Sequence, residues 1–170
     1  IYLAAGVLAV RDSAFVDNRG VDGVGIFSSG TADVINTTFA QNRIGPDPFS
    51  GRLGSVVFNF GQMTLTNTTF AQNVNLAVDL PSIDFPAASI ITNAGNGTTL
   101  LRNNIVVHSS DDGDVQDCRG VVTSLGNNLI SDPSACNMAI QLSDRIGDAG
   151  LGDFIDDGTP GNPHFGLLPD

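Results

Sequence analysis

One heptapeptide occurs twice in this chain, and that repetition constrains the fold more than any other feature. Asn-Thr-Thr-Phe-Ala-Gln-Asn spans residues 36–42 and again residues 67–73. A weaker copy surrounds Phe15, in the position that Phe39 takes in the first full copy. Self-similarity of this kind is the signature of a repeat architecture, in which each repeat is one structural unit that stacks on the next.

Two degenerate copies follow, at residues 97–108 and 121–132. We align Ile105 and Leu129 with the Phe position of the repeat. The interval between these two residues then equals the interval between the first two Phe positions, whereas the two intervals in the middle of the chain are longer.

A common coil of about 24 residues, within the usual range of solenoid repeats, explains the equal intervals. Insertions into that coil explain the longer intervals. The coils are predicted to span residues 1–132, and residues 133–170 are predicted to be a loop-rich capping segment of the same domain.

The insertions fall after the Asn that closes each repeat, at residues 43–53 and 74–89, and both contain prolines. Such segments are typical of loops on one side of a stack. The rest of each repeat contains short alternating runs, such as residues 63–66, that are bounded by Gly and Asn and indicate strands. A repeat of this length has room for two or three strands, and too little for a helix with a useful strand.

Stacking these repeats in register produces parallel sheets whose neighbouring coils lie about 4.8 Å apart. We therefore predict an all-β chain, a β-solenoid of about five coils. Val34 is expected to lie over Leu65, facing inward. The recurring Asn residues are expected at corners, where Asn tolerates the left-handed conformation and can form amide ladders along the axis. The predicted inward column and the predicted corner residues are Phe15, Phe39, Phe70, Ile105 and Leu129, and Asn18, Asn42 and Asn73.

The charged residues are unusual, and they exclude several classes of protein. All 18 acidic residues are Asp and all 7 basic residues are Arg, with a net charge of −11. Glu and Lys, which favour exposed helix faces, are absent, and 20 Gly and 8 Pro make a helical bundle untenable. Such a surface repels nucleic acid and anionic membranes, and no apolar stretch is long enough for a transmembrane helix.

The repeat G-x-(x)4-N-T-T-F-x-x-N resembles that of extracellular right-handed parallel β-helix proteins, which include the polymorphic outer-membrane-protein-type repeats of bacterial surface proteins. The second half resembles the choice-of-anchor Q domain of bacterial secreted proteins. This resemblance implies a right-handed parallel β-helix of the pectin-lyase-like class, exported by a bacterium, with no defined catalytic activity. The residues that carry it are 103–106, Cys118, 121–132, Cys136, 158–160 and 164–169.

The only two cysteines in the chain are Cys118 and Cys136. An even count, in a chain whose resemblance implies export, favours a disulfide over two free thiols. Metal or redox chemistry is the least favoured reading, because no His clusters with the pair.

The densest acidic run, residues 111–117, could chelate Ca²⁺ through the carboxylates of Asp111, Asp112, Asp114 and Asp117. Its spacing matches neither an EF-hand loop nor a nonapeptide calcium repeat, so a solvated acidic loop is the alternative. No other cofactor is predicted.

Catalysis is not predicted from this sequence. A lyase on a β-helix needs a cationic base beside its metal, and the chain has no Lys. A glycosidase needs a pair of carboxylates, but Asp33 is replaced by Thr64 one coil on. With one Tyr and no Trp, stacking platforms for sugars are few, although a carbohydrate-binding or polysaccharide-processing module remains the alternative function.

The sequence thus predicts a non-catalytic structural domain on a bacterial cell surface or outside the cell. It would serve as a stalk, an adhesin-like segment or a filament-building subunit. Because the chain starts inside a repeat, at Ile1, we expect the first coil to be covered. The cover would be end-to-end stacking of another subunit into a filament, or the continuation of a longer chain. Surface glycans are further possible partners, whereas nucleic acid and membrane insertion are not expected.

Overall fold

A computed structural model describes residues 1–45, 54–76, 88–107, 115–156 and 164–167. Its nineteen elements in these residues are all strands, so the all-β prediction is confirmed. In chain order the strands are β1 Tyr2–Leu3, β2 Val7–Val16, β3 Arg19–Gly20, β4 Ile26–Ser28, β5 Thr31–Ala40, β6 Arg43–Ile44, β7 Ser55–Asn59, β8 Gln62–Thr66, β9 Thr69–Ala71, β10 Val74–Asn75, β11 Ala88–Asn93, β12 Thr98–Arg102, β13 Ile105–Val106, β14 Val115–Ser124, β15 Leu129–Ile130, β16 Cys136–Asn137, β17 Arg145–Ile146, β18 Leu151–Ile155 and β19 His164–Leu167.

The strands stack as a parallel β-solenoid, as predicted. One face runs β1–β4–β7–β11–β14, and a second runs β2–β5–β8–β12–β14 and continues through β9, β13, β15 and β17. The short strands β3, β6 and β10 form the third face. Only β18 and β19 pair antiparallel within the described residues. Equivalent positions of successive repeats lie opposite one another, so each coil repeats the geometry of the one before it.

The core consists of columns of like residues along the solenoid axis. Val10, Val34 and Leu65 lie in register and are buried, which confirms the predicted inward position of Val34 and Leu65. Phe39 and Phe70 are paired, fully buried and stacked, with ring centroids 4.7 Å apart and ring planes 5° from parallel. Removal of apolar surface from water and contact between the rings together stabilise this stack.

The alignment of the two degenerate repeats was wrong by one residue. Phe70 pairs with Val106, and Val106 pairs with Ile130, so these two residues continue the Phe column. Ile105 instead pairs with Thr69 and Leu129 with Ile105, and both lie partly exposed on the outer face. The sequence alignment therefore made the interval before these repeats one residue too short.

The physical reason is the Asn corner that precedes the column. Asn36, Asn67, Asn103 and Asn127 all have positive φ, between 50° and 60°, at the same bend of successive coils. From that bend, the third residue faces the core in every coil. Ile105 is only two residues after Asn103, where the earlier repeats have Thr, so its side chain faces outward despite being apolar.

The two ends of the solenoid differ. Within the described residues, β1, β2 and β3 each pair on one side only, with the strand one coil on. At the other end, only the two-residue strands β16 and β17 follow, pairing with β14 and β15. Met138, just after β16, packs against the core. Among the described strands, the ten-residue β2 thus pairs along one edge only, and β16 pairs with only Gly120 and Val121 of the ten-residue β14.

Candidate functional site

The predicted disulfide is confirmed. Cys118 in β14 and Cys136 in β16 are bonded, with their Cα atoms 5.0 Å apart, and both residues are buried. The bond closes an 18-residue separation and fastens the chain after the last coil to β14. A loop of this size stabilises the fold by roughly 3 kcal/mol in the chain-entropy account.

The acidic run predicted to bind calcium is described only in part. Asp111, Asp112 and Asp114 lie outside the described residues. Asp117 is fully buried in β14, where its carboxylate accepts hydrogen bonds from the Ser131 hydroxyl and from the Asp132 backbone N–H at 2.7 Å. Among the residues that are described, no three metal-ligating side chains cluster. Calcium binding by the four Asp residues stays a prediction.

The predicted amide ladder is confirmed, but the left-handed conformation expected at these Asn residues lies one residue earlier, at Asp17, Gln41 and Gln72. The Asn18 side-chain amide donates to Oδ1 of Asn42 at 3.0 Å, and that of Asn42 donates to Oδ1 of Asn73 at 2.8 Å. Each acceptor oxygen also receives the backbone N–H of the preceding Asn. Asn42 and Asn73 are fully buried, so the ladder satisfies polar atoms that would otherwise be costly inside the protein.

A second buried ladder was not predicted. The backbone N–H of Thr68 donates to Oδ1 of Asn104, that of Asn104 to Oδ1 of Asn128, and that of Asn128 to Oδ1 of Asp144. These three distances are 2.9, 3.0 and 2.9 Å. The sequence feature that could have predicted this ladder is the Asn-Asn pair in each of the last two repeats. The second Asn of each pair is the buried residue that follows the bend.

Asp144 ends this second ladder, and its carboxylate has further hydrogen-bond donors. Oδ2 of Asp144 accepts the Ser124 hydroxyl at 2.7 Å and the Gln141 backbone N–H at 2.8 Å. Burial by itself would raise the pKa of Asp144, but hydrogen bonds from Ser124, Asn128 and Gln141 outweigh it and hold the pKa below its ordinary value.

A third ladder lies on the outer surface of the bend. The Asn36 amide donates to Asp12, that of Asn67 to Asn36, and that of Asn103 to Asn67, at 3.0, 3.0 and 2.6 Å. The series stops there, because the exposed Asn127 side chain has no hydrogen-bond partner within the described residues. Asn is suited to this bend because it tolerates positive φ at small cost.

Beside this outer ladder lies an open groove with a volume of about 470 Å³, which we call the corner groove. Its lining residues include the amides Asn103 and Asn127, the apolar pair Ile105 and Leu129, which we call its floor, and Arg145. The floor follows directly from the corrected register, since Ile105, Leu129 and Arg145 are paired in β13, β15 and β17. The groove combines amides, an apolar floor and one cation.

The structure also gathers aromatic rings on another face. Tyr2, Phe27 and Phe58 form a column with ring centroids 5.0 and 5.5 Å apart, and Phe60 lies against Phe27 and Phe58. Tyr2 and Phe60 are largely exposed, at 73% and 44%. The low aromatic content therefore did not reveal that four of the rings share one surface, at the end of the solenoid that carries the first coil.

Comparison with known proteins gives no match to a protein family, a curated protein or a solved structure. The resemblance to bacterial surface repeats and to the choice-of-anchor Q domain therefore stays a prediction. In the parts of the chain that the structure describes, no helix is long and apolar enough to cross a membrane.

Proposed function

We propose that this chain is a non-catalytic, structural β-solenoid module that works outside the cell, as part of a cell-surface stalk or a comparable extracellular scaffold. The observation that carries the proposal is the unbroken stacking of equivalent residues. Buried aliphatic, aromatic and amide columns continue from coil to coil in register. A body built this way resists bending, because any bend must open several columns at once.

The disulfide supports an extracellular place of work. Disulfides persist in oxidising compartments and are rare where thiols are kept reduced. The net charge of −11 keeps such a module soluble and discourages non-specific contact with other acidic surfaces. Both features suit a domain that holds its shape outside the cell.

No described strand pairs with the outer edge of β2, and we assign a second copy of this chain as the partner of that edge. Thr31 N–H donates to the Gly6 carbonyl, which sets the parallel ladder between β2 and β5. In such a ladder, alternate residues of β2, among them Ala9, turn their backbone groups to the open side. Val7, in the same strand, is 82% exposed.

Pairing between two first coils supports a closed dimer over a filament. Two copies of residues 7–11, aligned antiparallel about a two-fold axis, bring Ala9 opposite Ala9 and keep Leu8 and Val10 on the core side. The contact uses the same edge of β2 in both copies, so it does not involve the opposite end, where β16 pairs with only Gly120 and Val121 of β14. An isologous contact of this kind closes on itself.

The test is the molar mass of the chain in solution, measured by analytical ultracentrifugation over a range of concentrations. We expect the parent chain to dimerise and Ala9→Pro to be monomeric, because proline removes the free N–H of the edge. Ala139→Pro, at an exposed alanine after β16, is the matched control and should still dimerise. Thermal unfolding confirms that both variants fold. A parent chain that stays monomeric at high concentration, or a dimer unaffected by Ala9→Pro, refutes the proposed partner.

A further inference from the structure

The corner groove contains several polar atoms that have no protein partner within the described residues. The Asn127 amide is free on both its oxygen and its nitrogen, and Oδ1 of Asn103 accepts no hydrogen bond because the outer ladder stops there. The Thr69 hydroxyl also lines the groove without a partner. These groups offer both donors and acceptors, close together, on a concave surface.

The floor of the groove is apolar. Ile105 and Leu129 lie side by side, one coil apart, and each is partly exposed. Their separation along the axis is the spacing of parallel strands, about 4.8 Å, which is comparable to the length of a pyranose ring. A ligand that lies along the axis would meet an apolar contact beneath it and an amide beside it at each coil. A chain of sugar rings has this combination, with hydroxyls at its edges and C–H groups on its faces.

The positive charge of Arg145 favours a negatively charged ligand. Arg145 is the only ionisable residue among the described residues that line the groove, and its one hydrogen bond is from Nη1 to the Asp144 carbonyl at 3.3 Å. No carboxylate lies within 4.0 Å of its guanidinium in the part of the chain that is described. The nearby Asp144 carboxylate is buried and turned to its own four donors. The groove is thus locally cationic on a protein of net charge −11.

We propose that the corner groove binds a short anionic glycan, with an acidic group of the sugar on the Arg145 guanidinium and its hydroxyls on Asn103 and Asn127. A guanidinium forks onto carboxylate or sulfate oxygens with two parallel hydrogen bonds, so either acidic sugar fits the same chemistry. This inference does not rest on the proposed dimer, because the groove spans β9 to β17 and lies away from the first coil.

The experiment is isothermal titration of the full chain with three oligosaccharides of equal length, one uronate-containing, one sulfated and one neutral. We expect the acidic oligomers to bind and the neutral one to bind at least about tenfold more weakly. Binding should weaken as salt is added, because the contact is exposed. The carboxylated and sulfated arms identify which acidic group is preferred, and binding of either supports the inference.

Variants locate the site. Arg145→Gln should weaken acidic-glycan binding by about tenfold to a hundredfold, and Asn127→Ala should weaken it less. Arg119→Gln is the matched control, because Arg119 is an exposed arginine on a different face, in β14, and is expected to leave binding unchanged. The inference is overturned if neither acidic oligomer binds at millimolar concentration, if the neutral oligomer binds equally well, or if Arg119→Gln weakens binding as much as Arg145→Gln.

Discussion

Asp144 is the residue at which a one-atom change tests the ladder most directly. Oδ1 of Asp144 accepts the backbone N–H and the side-chain amide of Asn128, and Oδ2 accepts the Ser124 hydroxyl and the Gln141 N–H. The buried ladder directs its donors toward this end, so it needs a group that only accepts. A carboxylate meets that requirement, whereas an amide replaces one acceptor oxygen with two N–H donors.

The expected loss of stability follows from that geometry. In Asp144→Asn, one oxygen can still accept from Asn128, but the new NH₂ group faces the Gln141 N–H and the Ser124 hydroxyl. Two hydrogen bonds to a charged acceptor are lost, and the buried Ser124 hydroxyl and the part-buried Gln141 N–H are left facing the new amide donors. We expect the free energy of unfolding to fall by about 2–4 kcal/mol at neutral pH.

The effect of pH has a definite sign. The folded pKa of Asp144 is lowered relative to the unfolded chain. The charged carboxylate therefore stabilises the fold fully above the ordinary Asp pKa, and this contribution disappears as pH falls through the folded pKa. The other Asp residues are shared by both proteins, so their titration cancels in the comparison. The difference in the free energy of unfolding between the parent chain and Asp144→Asn should therefore decrease in acid.

Urea unfolding near neutral pH and again at about pH 2 measures this difference directly, from the midpoint and slope of each transition. Asp153→Asn, at an exposed carboxylate in β18, is the control and should change stability by less than about 0.5 kcal/mol. A neutral-pH loss below about 0.5 kcal/mol for Asp144→Asn, or a loss that does not decrease in acid, would refute the role given to this carboxylate.

Two further substitutions test the core. A Cβ at Gly25 would lie 2.6 Å from the ring of Phe39, so Gly25→Ala should lower the free energy of unfolding, measured by thermal unfolding, by about 1–3 kcal/mol. Gly20→Ala is the control and should be nearly neutral, because the nearest atom to its Cβ is 3.7 Å away. Equal effects of the two substitutions would contradict the packing. Val106→Thr should lower the free energy of unfolding by about 1–3 kcal/mol, because it buries a hydroxyl in the Phe column. Ile105→Thr should lower it clearly less, because Ile105 faces outward. The reverse order would support the sequence alignment that placed Ile105 in the Phe column.

The repeated heptapeptide determined the fold without any structure. Two identical segments must occupy equivalent places in a stack, so the pairing of Phe39 with Phe70 and the amide ladder from Asn42 to Asn73 follow from repetition alone. The composition added the exclusion of helical bundles, and the two cysteines gave the disulfide. These features depend on local chemistry that recurs along the chain, which is why they can be inferred from the order of residues.

The tertiary structure decided what repetition does not contain. Ile105 and Val106 are adjacent, apolar and β-branched, and only the bend at Asn103 determines which of them faces the core. Asp144 follows Asn128 by 16 residues, in a segment without the repeat motif, yet its carboxylate takes the place of the next ladder Asn. The corner groove likewise combines side chains from four coils, because stacking places residues far apart in sequence at the distance between neighbouring strands.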